Sequence, residues 1–190
     1  MRCSGFTLND SSVNDWFLVV ARLVPYKRID AAIEAFNRLG LPLLVVGEGR
    51  DRKNLEAIAG PNIHFVGRAF GKELKAYYSS CRAFILPGEE DFGMTSLEAQ
   101  ASGRPVIAYG VGGALESVVE GVTGTFFYEQ TPEALIAAIK AFERLEFDPL
   151  RIRKHAKKFD VEVFKKRIKT FVEEKWGEYR RKQSKRVLQL

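Results

Sequence analysis

Cysteine is nearly missing from this chain: Cys3 and Cys81 are the only two in 190 residues. Their spacing neither binds zinc nor builds a disulfide framework, so a reducing, cytosolic setting is the expectation. Histidine is as scarce, with His64 inside an expected strand and His155 on a basic helix, each better suited to a structural role than to catalysis. No apolar run approaches the ~18 residues of a membrane span, and no signal-peptide pattern opens the chain. Neither a Gly-x-Ser-x-Gly elbow nor an Asp-x-Asp pair occurs, which removes the usual signatures of serine hydrolysis and of a paired-aspartate metal site.

What is present is ordinary for one soluble domain: 46% hydrophobic residues, 28% charged and a net charge of +6. The charge is uneven, because residues 151–190 hold 15 Lys/Arg against 5 Asp/Glu. A basic tail raises nucleic-acid binding as a reading, yet no aromatic-interleaved basic motif accompanies it, so a solvated helix face is favoured. Contact with an anionic membrane surface is the other use such a face allows.

Residues 1–15 are polar and aperiodic, a lead-in to a domain expected over 16–146. Six short apolar runs follow at regular intervals: WFLVVA (16–21), PLLVVG (42–47), NIHFVG (62–67), RAFILP (82–87), RPVIAYG (104–110) and TGTFFY (123–128). Continuous apolar runs of this length mark strands buried on both faces. Between them lie helical patterns such as Ile29, Ala32, Ile33, Phe36 and Leu39, stopped by Gly40. The alternation predicts an α/β fold with a doubly wound, parallel, six-stranded Rossmann-like sheet. Basic helices packing on that domain are expected over 147–190, with Phe164, Ile168, Phe171 and Val172 as a narrow apolar stripe.

In the common strand order 3-2-1-4-5-6, ligands bind beyond the carboxyl ends of strands 1 and 4. The loops meeting there would be RLVPYKR, with Arg22 and Lys27, and PGEEDFG, with Glu90 and Gly93. Arg and Lys suit a diphosphate, the one as a planar fork and the other as a point charge. Gly93 allows close backbone approach, and the free N–H groups of Met94, Thr95 and Ser96 at the following helix start form an anion site. Glu98, one turn on, can accept two hydroxyl hydrogen bonds, as a ribose supplies.

Rival readings are weaker. A dinucleotide fingerprint fails at its third glycine twice, where Arg52 follows Gly47-Glu48-Gly49 and Leu115 follows Gly110-Val111-Gly112. Glycoside hydrolysis needs two carboxylates against one anomeric carbon, which Glu90 and Glu98, split by a loop and a helix turn, do not supply. Metal binding by Glu89, Glu90 and Asp91 lacks a nearby His or Asp-x-Asp partner.

The blocks ARLVPYKRID, VVGEGRDRKNLE, NIHFVGR and the run from Tyr77 to Phe127, in that order, resemble the C-terminal, donor-binding domain of family 4 (group 1) retaining glycosyltransferases with the GT-B fold. The resemblance implies hexose transfer from a nucleoside diphosphate, such as mannose, glucose or galactose into a glycoconjugate or polysaccharide, with no metal or other cofactor. It assigns Glu90 to the transferred sugar, Glu98 to the ribose, and Arg22, Lys27 and the amides of Gly93, Met94 and Thr95 to the diphosphate. It places Phe65, Val66 and Arg68 beside the base, and the Gly47 and Gly112-Gly113 loops along the cleft. It further implies a second Rossmann-like domain, absent from these residues, that receives the sugar or lipid-linked acceptor, so that this chain alone transfers little. A non-catalytic nucleotide-binding module and a sugar-nucleotide 2-epimerase are the alternatives.

Overall fold

The computed structural model describes residues 14–187, with side chains through Arg181. Most of the expected lead-in over 1–15, Cys3 included, lies outside the described residues.

Six strands form one parallel sheet in the order β3-β2-β1-β4-β5-β6. They are β1 (Phe17–Val20), β2 (Leu43–Val46), β3 (Ile63–Gly67), β4 (Phe84–Leu86), β5 (Val106–Tyr109) and β6 (Gly124–Phe127). Interleaved with them are α1 (Ile29–Leu39), α2 (Arg52–Ile58), α3 (Gly71–Ser80), α4 (Met94–Ala101), the single turn α5 (Ala114–Ser117) and α6 (Pro132–Phe142). The doubly wound order expected from the sequence is the one observed, with β1 beside β4 at the reversal of winding.

The strands are apolar throughout because both faces are covered. Phe17, Val19, Leu43, Val45 and Ile85 point to one face, where they meet Ile33 and Phe36 of α1 and Ile139 and Phe142 of α6. Leu18, Val46, Phe84 and Leu86 point to the other, against Tyr78 of α3 and Ala99 of α4. This period-two division fixes the register, since a one-residue slip would exchange the two cores. Helix ends follow local chemistry. Gly40 closes α1 in the left-handed region at φ 68°, and the Thr131 hydroxyl, just before Pro132, accepts from the Ala134 amide at 3.2 Å to open α6.

The C-terminal residues divide in two. α7 (Pro149–Ala156) packs on α4, burying Ile152 and Ala156. α8 (Val161–Val187) has its principal contact with the intervening turn Lys157–Phe159, and its stripe of Phe164, Ile168, Phe171, Val172, Trp176 and Tyr179 is 45–62% exposed. Of the two basic helices, α7 packs on the domain, whereas α8 leaves its apolar stripe uncovered. No helix among the described residues is long and apolar enough to cross a membrane.

Candidate functional site

Glycines let the loops at the carboxyl ends of the strands touch backbone to backbone. A Cβ on Gly47 or Gly49 would overlap the carbonyl of Ala21 or Leu23, so the β2 loop can lie flat on the β1 loop, where Leu23 donates its amide to Glu48 O at 3.0 Å. A Cβ on Gly88 would come within 2.8 Å of Lys27 O, which brings the β4 loop onto the other end of the β1 loop. Gly112 and Gly113 do the same for the β5 loop. A Cβ on Gly112 would sit 2.7 Å from Glu90 O, and the Gly113 amide donates to that carbonyl at 2.7 Å. Glu90 and Gly112 form an isolated parallel bridge beyond the strand ends. Four loops are thus joined into one rim, and any side chain at those glycines would separate them.

On that rim the turn Pro25–Lys27 carries the cations. It ends at Arg28, whose φ of 53° is the one positive value among the described non-glycine residues. Such a conformation costs on the order of 1–3 kcal/mol and persists only where the surroundings impose it. Here Arg28 Nε is held by Asp30 Oδ1 at 3.2 Å. Lys27 Nζ lies 2.5 Å from Glu90 Oε1, with both side chains largely shielded. The cation expected for the diphosphate and the carboxylate expected for the sugar therefore meet each other directly.

Gly93 starts α4 from the left-handed region at φ 73°, and the Ser96 hydroxyl donates back to its carbonyl at 2.7 Å. The amides of Met94 and Thr95 precede the first intrahelical bonds and have no acceptor within the helix. One turn further, the Tyr78 hydroxyl donates to Glu98 Oε2 at 2.9 Å. Burial raises the Glu98 carboxyl above the usual carboxylate range, and the Tyr78 hydroxyl pulls it part of the way back.

Two hollows open on this rim. The larger, of about 610 Å³, is lined by residues that include Arg22, Gly47, Glu48, Arg68, Phe70 and Thr95. The second, of about 450 Å³, is lined by Tyr26, Lys27, Arg28, Glu89, Glu90, Asp91 and Gln130. The same two chain segments, after β1 and after β4, line both, so a ligand with an anionic middle could occupy the pair. Phe65 and Val66 are not among the residues lining the larger hollow. As neighbours on β3 they point to opposite faces, Phe65 into the core beneath α1 and Val66 into the one beneath α3 and α4, while Arg68, Ala69 and Phe70 beyond the strand end line the hollow.

Sequence reasoning missed the groups behind the rim. Tyr78 reads as one more core position on a helix face; nothing in its spacing marks its hydroxyl. Phe92, 46% exposed on the β4 loop, packs edge-on against Phe159 with ring centres 6.1 Å apart. The imidazole of His155 lies against the same Phe159, and its Nε2 is 3.2 Å from Ser117 O, a carbonyl that also accepts from Gln100 at 2.9 Å. A carbonyl only accepts, so the proton sits on Nε2. Burial first, and then Lys158, lower the imidazole's pKa from 6.5. A folded state that disfavours protonation loses stability as pH falls through the unfolded value near 6.5 towards the lower folded value. We expect urea midpoints of the wild type and His155→Gln to agree at pH 8 and the wild type to fall further by pH 5; parallel curves would refute this.

Comparison with known proteins places this geometry. The model of the family described as Glycosyl transferases group 1 matches residues 10–159. A GDP-mannose-dependent alpha-mannosyltransferase from Mycolicibacterium smegmatis is 41% identical over 106 residues, covering 55% of this chain and 28% of its own length. The chain spans about a third of the curated relatives it matches. Among solved structures, a sucrose-phosphate synthase from Thermosynechococcus elongatus superposes with a TM-score of 0.76 at 24% identity, covering 94% of this chain and 51% of that one. An Anabaena protein in complex with UDP-glucose gives 0.75 at 20% identity, covering 92% and 56% respectively, and these two likenesses concern the fold. With the α/β sheet of a GT-B half and a family match across most of its length, the chain belongs to the group 1 glycosyltransferases.

Proposed function

We propose that this chain is the donor-binding half of a nucleotide-sugar-dependent retaining hexosyltransferase. The observation that carries this is the pair of hollows bridged by the β1 and β4 loops, with Arg22 and Thr95 on one side and Lys27 and Glu90 on the other. A nucleoside fits the larger hollow beside Arg68, the hexose fits the smaller beside Glu90, and the diphosphate lies between them at the start of α4. Lys27 and Arg22 stabilise the charge that develops on the leaving diphosphate, so side-chain cations do this work and no metal or other cofactor is required. Glu98 accepts from the ribose.

Relatives are named for different donors, GDP-mannose for one and UDP-glucose for the ligand of another, so mannose and glucose both fit the class, with galactose the other hexose proposed. The acceptor, a sugar or lipid-linked sugar, is received by a second Rossmann-like domain, in keeping with the greater length of the relatives. The uncovered stripe of α8 would pack on that domain, and the neighbouring Lys165, Lys166, Arg167 and Lys169 favour work at the cytoplasmic face of an anionic membrane, in glycoconjugate or polysaccharide synthesis.

The test is calorimetric titration with GDP, UDP and ADP, followed by an NMR assay of the matching sugar nucleotide with the chain joined to the second domain of a relative. Binding of one nucleotide and acceptor-dependent transfer support the proposal. No binding of any overturns it, binding without transfer indicates a non-catalytic module, and donor conversion without acceptor indicates an epimerase.

A further inference from the structure

Behind the larger hollow, α3 and α4 share a polar contact beside an apolar cluster. Tyr78 is fully buried among Leu18, Val46, Phe84 and Ala99, with its ring centre 5.9 Å from that of Phe84. Phenylalanine would fill the same volume without bringing a hydroxyl into the core, where a polar group costs stability unless it is paired. The hydroxyl donates to a carboxylate, Glu98 Oε2, at 2.9 Å. Burial raises the phenol far above its ordinary value, so it stays protonated and can only donate to that oxygen.

Glu98 stands one turn along α4 from Thr95, which lines the hollow. A glutamate has three side-chain torsions, and a hydrogen bond from a rigid, buried ring removes most of their freedom. Oε1 carries no hydrogen bond from the described residues and is left to accept from a ligand.

We propose that Tyr78 is a positioning residue for donor recognition, its hydroxyl fixing Glu98 so that Oε1 meets a vicinal diol of the ribose type. The inference rests on Glu98 reading the ribose of a nucleoside diphosphate, and its test separates the two ideas. GDP, UDP and ADP are titrated calorimetrically into the full chain, and then the 2′,3′-dideoxy form of whichever binds tightest. The wild type should prefer the ribo form by about tenfold, the worth of one charge-assisted hydrogen bond, and Glu98→Ala should lose that preference. Tyr78→Phe should reduce the preference to about twofold or less while holding its affinity for the dideoxy form, a pattern that general loosening of the core does not produce. In the Glu98→Ala background the same change should alter neither affinity, which keeps the inference testable if Tyr78→Phe alone folds poorly.

A full ribo preference in Tyr78→Phe, or equal weakening of both forms, overturns the positioning role while leaving Glu98 in place. A wild type that binds both forms equally overturns the ribose reading of Glu98 and this inference with it. Failure of all three nucleotides to bind removes the donor site itself.

Discussion

Replacing Arg22 and Lys27 together with alanine should lower nucleoside diphosphate affinity by about a hundredfold or more. Each cation offers a charge-assisted hydrogen bond worth about 1.5–3 kcal/mol, and every 1.4 kcal/mol is a factor of ten. The two changes should be unequal. Arg22 is exposed on the wall of the larger hollow, so its removal subtracts one contact. Lys27 is held 2.5 Å from Glu90, and its loss also leaves a shielded carboxylate unpaired where the diphosphate must arrive. Lys27→Ala alone should therefore weaken binding more than Arg22→Ala, and Lys27→Ala with Glu90→Gln should recover part of that difference. Calorimetry with GDP, UDP and ADP checks all four proteins, and unchanged affinity in the double variant would remove the diphosphate from this rim.

The second large effect concerns Gly47. Its φ of 143° is strained for any residue with a side chain, and a Cβ there would overlap the Ala21 carbonyl, backbone against backbone with no flexible group to yield. Gly47→Ala should destabilise the domain by about 3 kcal/mol or more, within the range of severe backbone and overpacking changes. For a domain of this size that lowers the melting temperature by roughly 6–12 °C. Gly177 is the control: it lies within α8 with nothing inside 4 Å, so Gly177→Ala should leave the melting temperature unchanged or higher and raise helicity in far-UV circular dichroism. Equal melting temperatures for Gly47→Ala and the wild type would mean that the β1 and β2 loops are not held together as described.

The two experiments probe different levels. Gly47 touches no proposed ligand group through a side chain, yet it sets how the β2 loop rests against the β1 loop, on which both Arg22 and Lys27 stand. Gly47→Ala should therefore weaken nucleotide binding along with stability, whereas Arg22→Ala should change binding with little effect on the melting temperature.

Much of the domain is decided by local chemistry. The runs WFLVVA and PLLVVG can only be strands buried on both faces, and Gly40, Thr131 and Pro132 end or begin helices by themselves. Strand order follows, because right-handed crossovers and β1 beside β4 leave few alternatives, and the order places RLVPYKR against PGEEDFG. That the loop of Lys27 faces the loop of Glu90 is therefore legible in one dimension.

Contacts between side chains far apart in the chain are not. Only the fold brings Tyr78 to Glu98, Lys27 to within 2.5 Å of Glu90, and Phe159 against Phe92, because each depends on how two elements pack and not on spacing along one of them. The family resemblance set Phe65 and Val66 beside Arg68, and only the fold shows that strand pleating packs the two against opposite cores while Arg68, Ala69 and Phe70 line the hollow. The basic tail divided for a similar reason: α7 found an open face on α4, while the apolar stripe of α8 is exposed beyond it. The sequence by itself determined the elements, their order and the loops that face one another; the tertiary structure decided which atoms touch, since packing and side-chain direction are set by neighbours that no local pattern names.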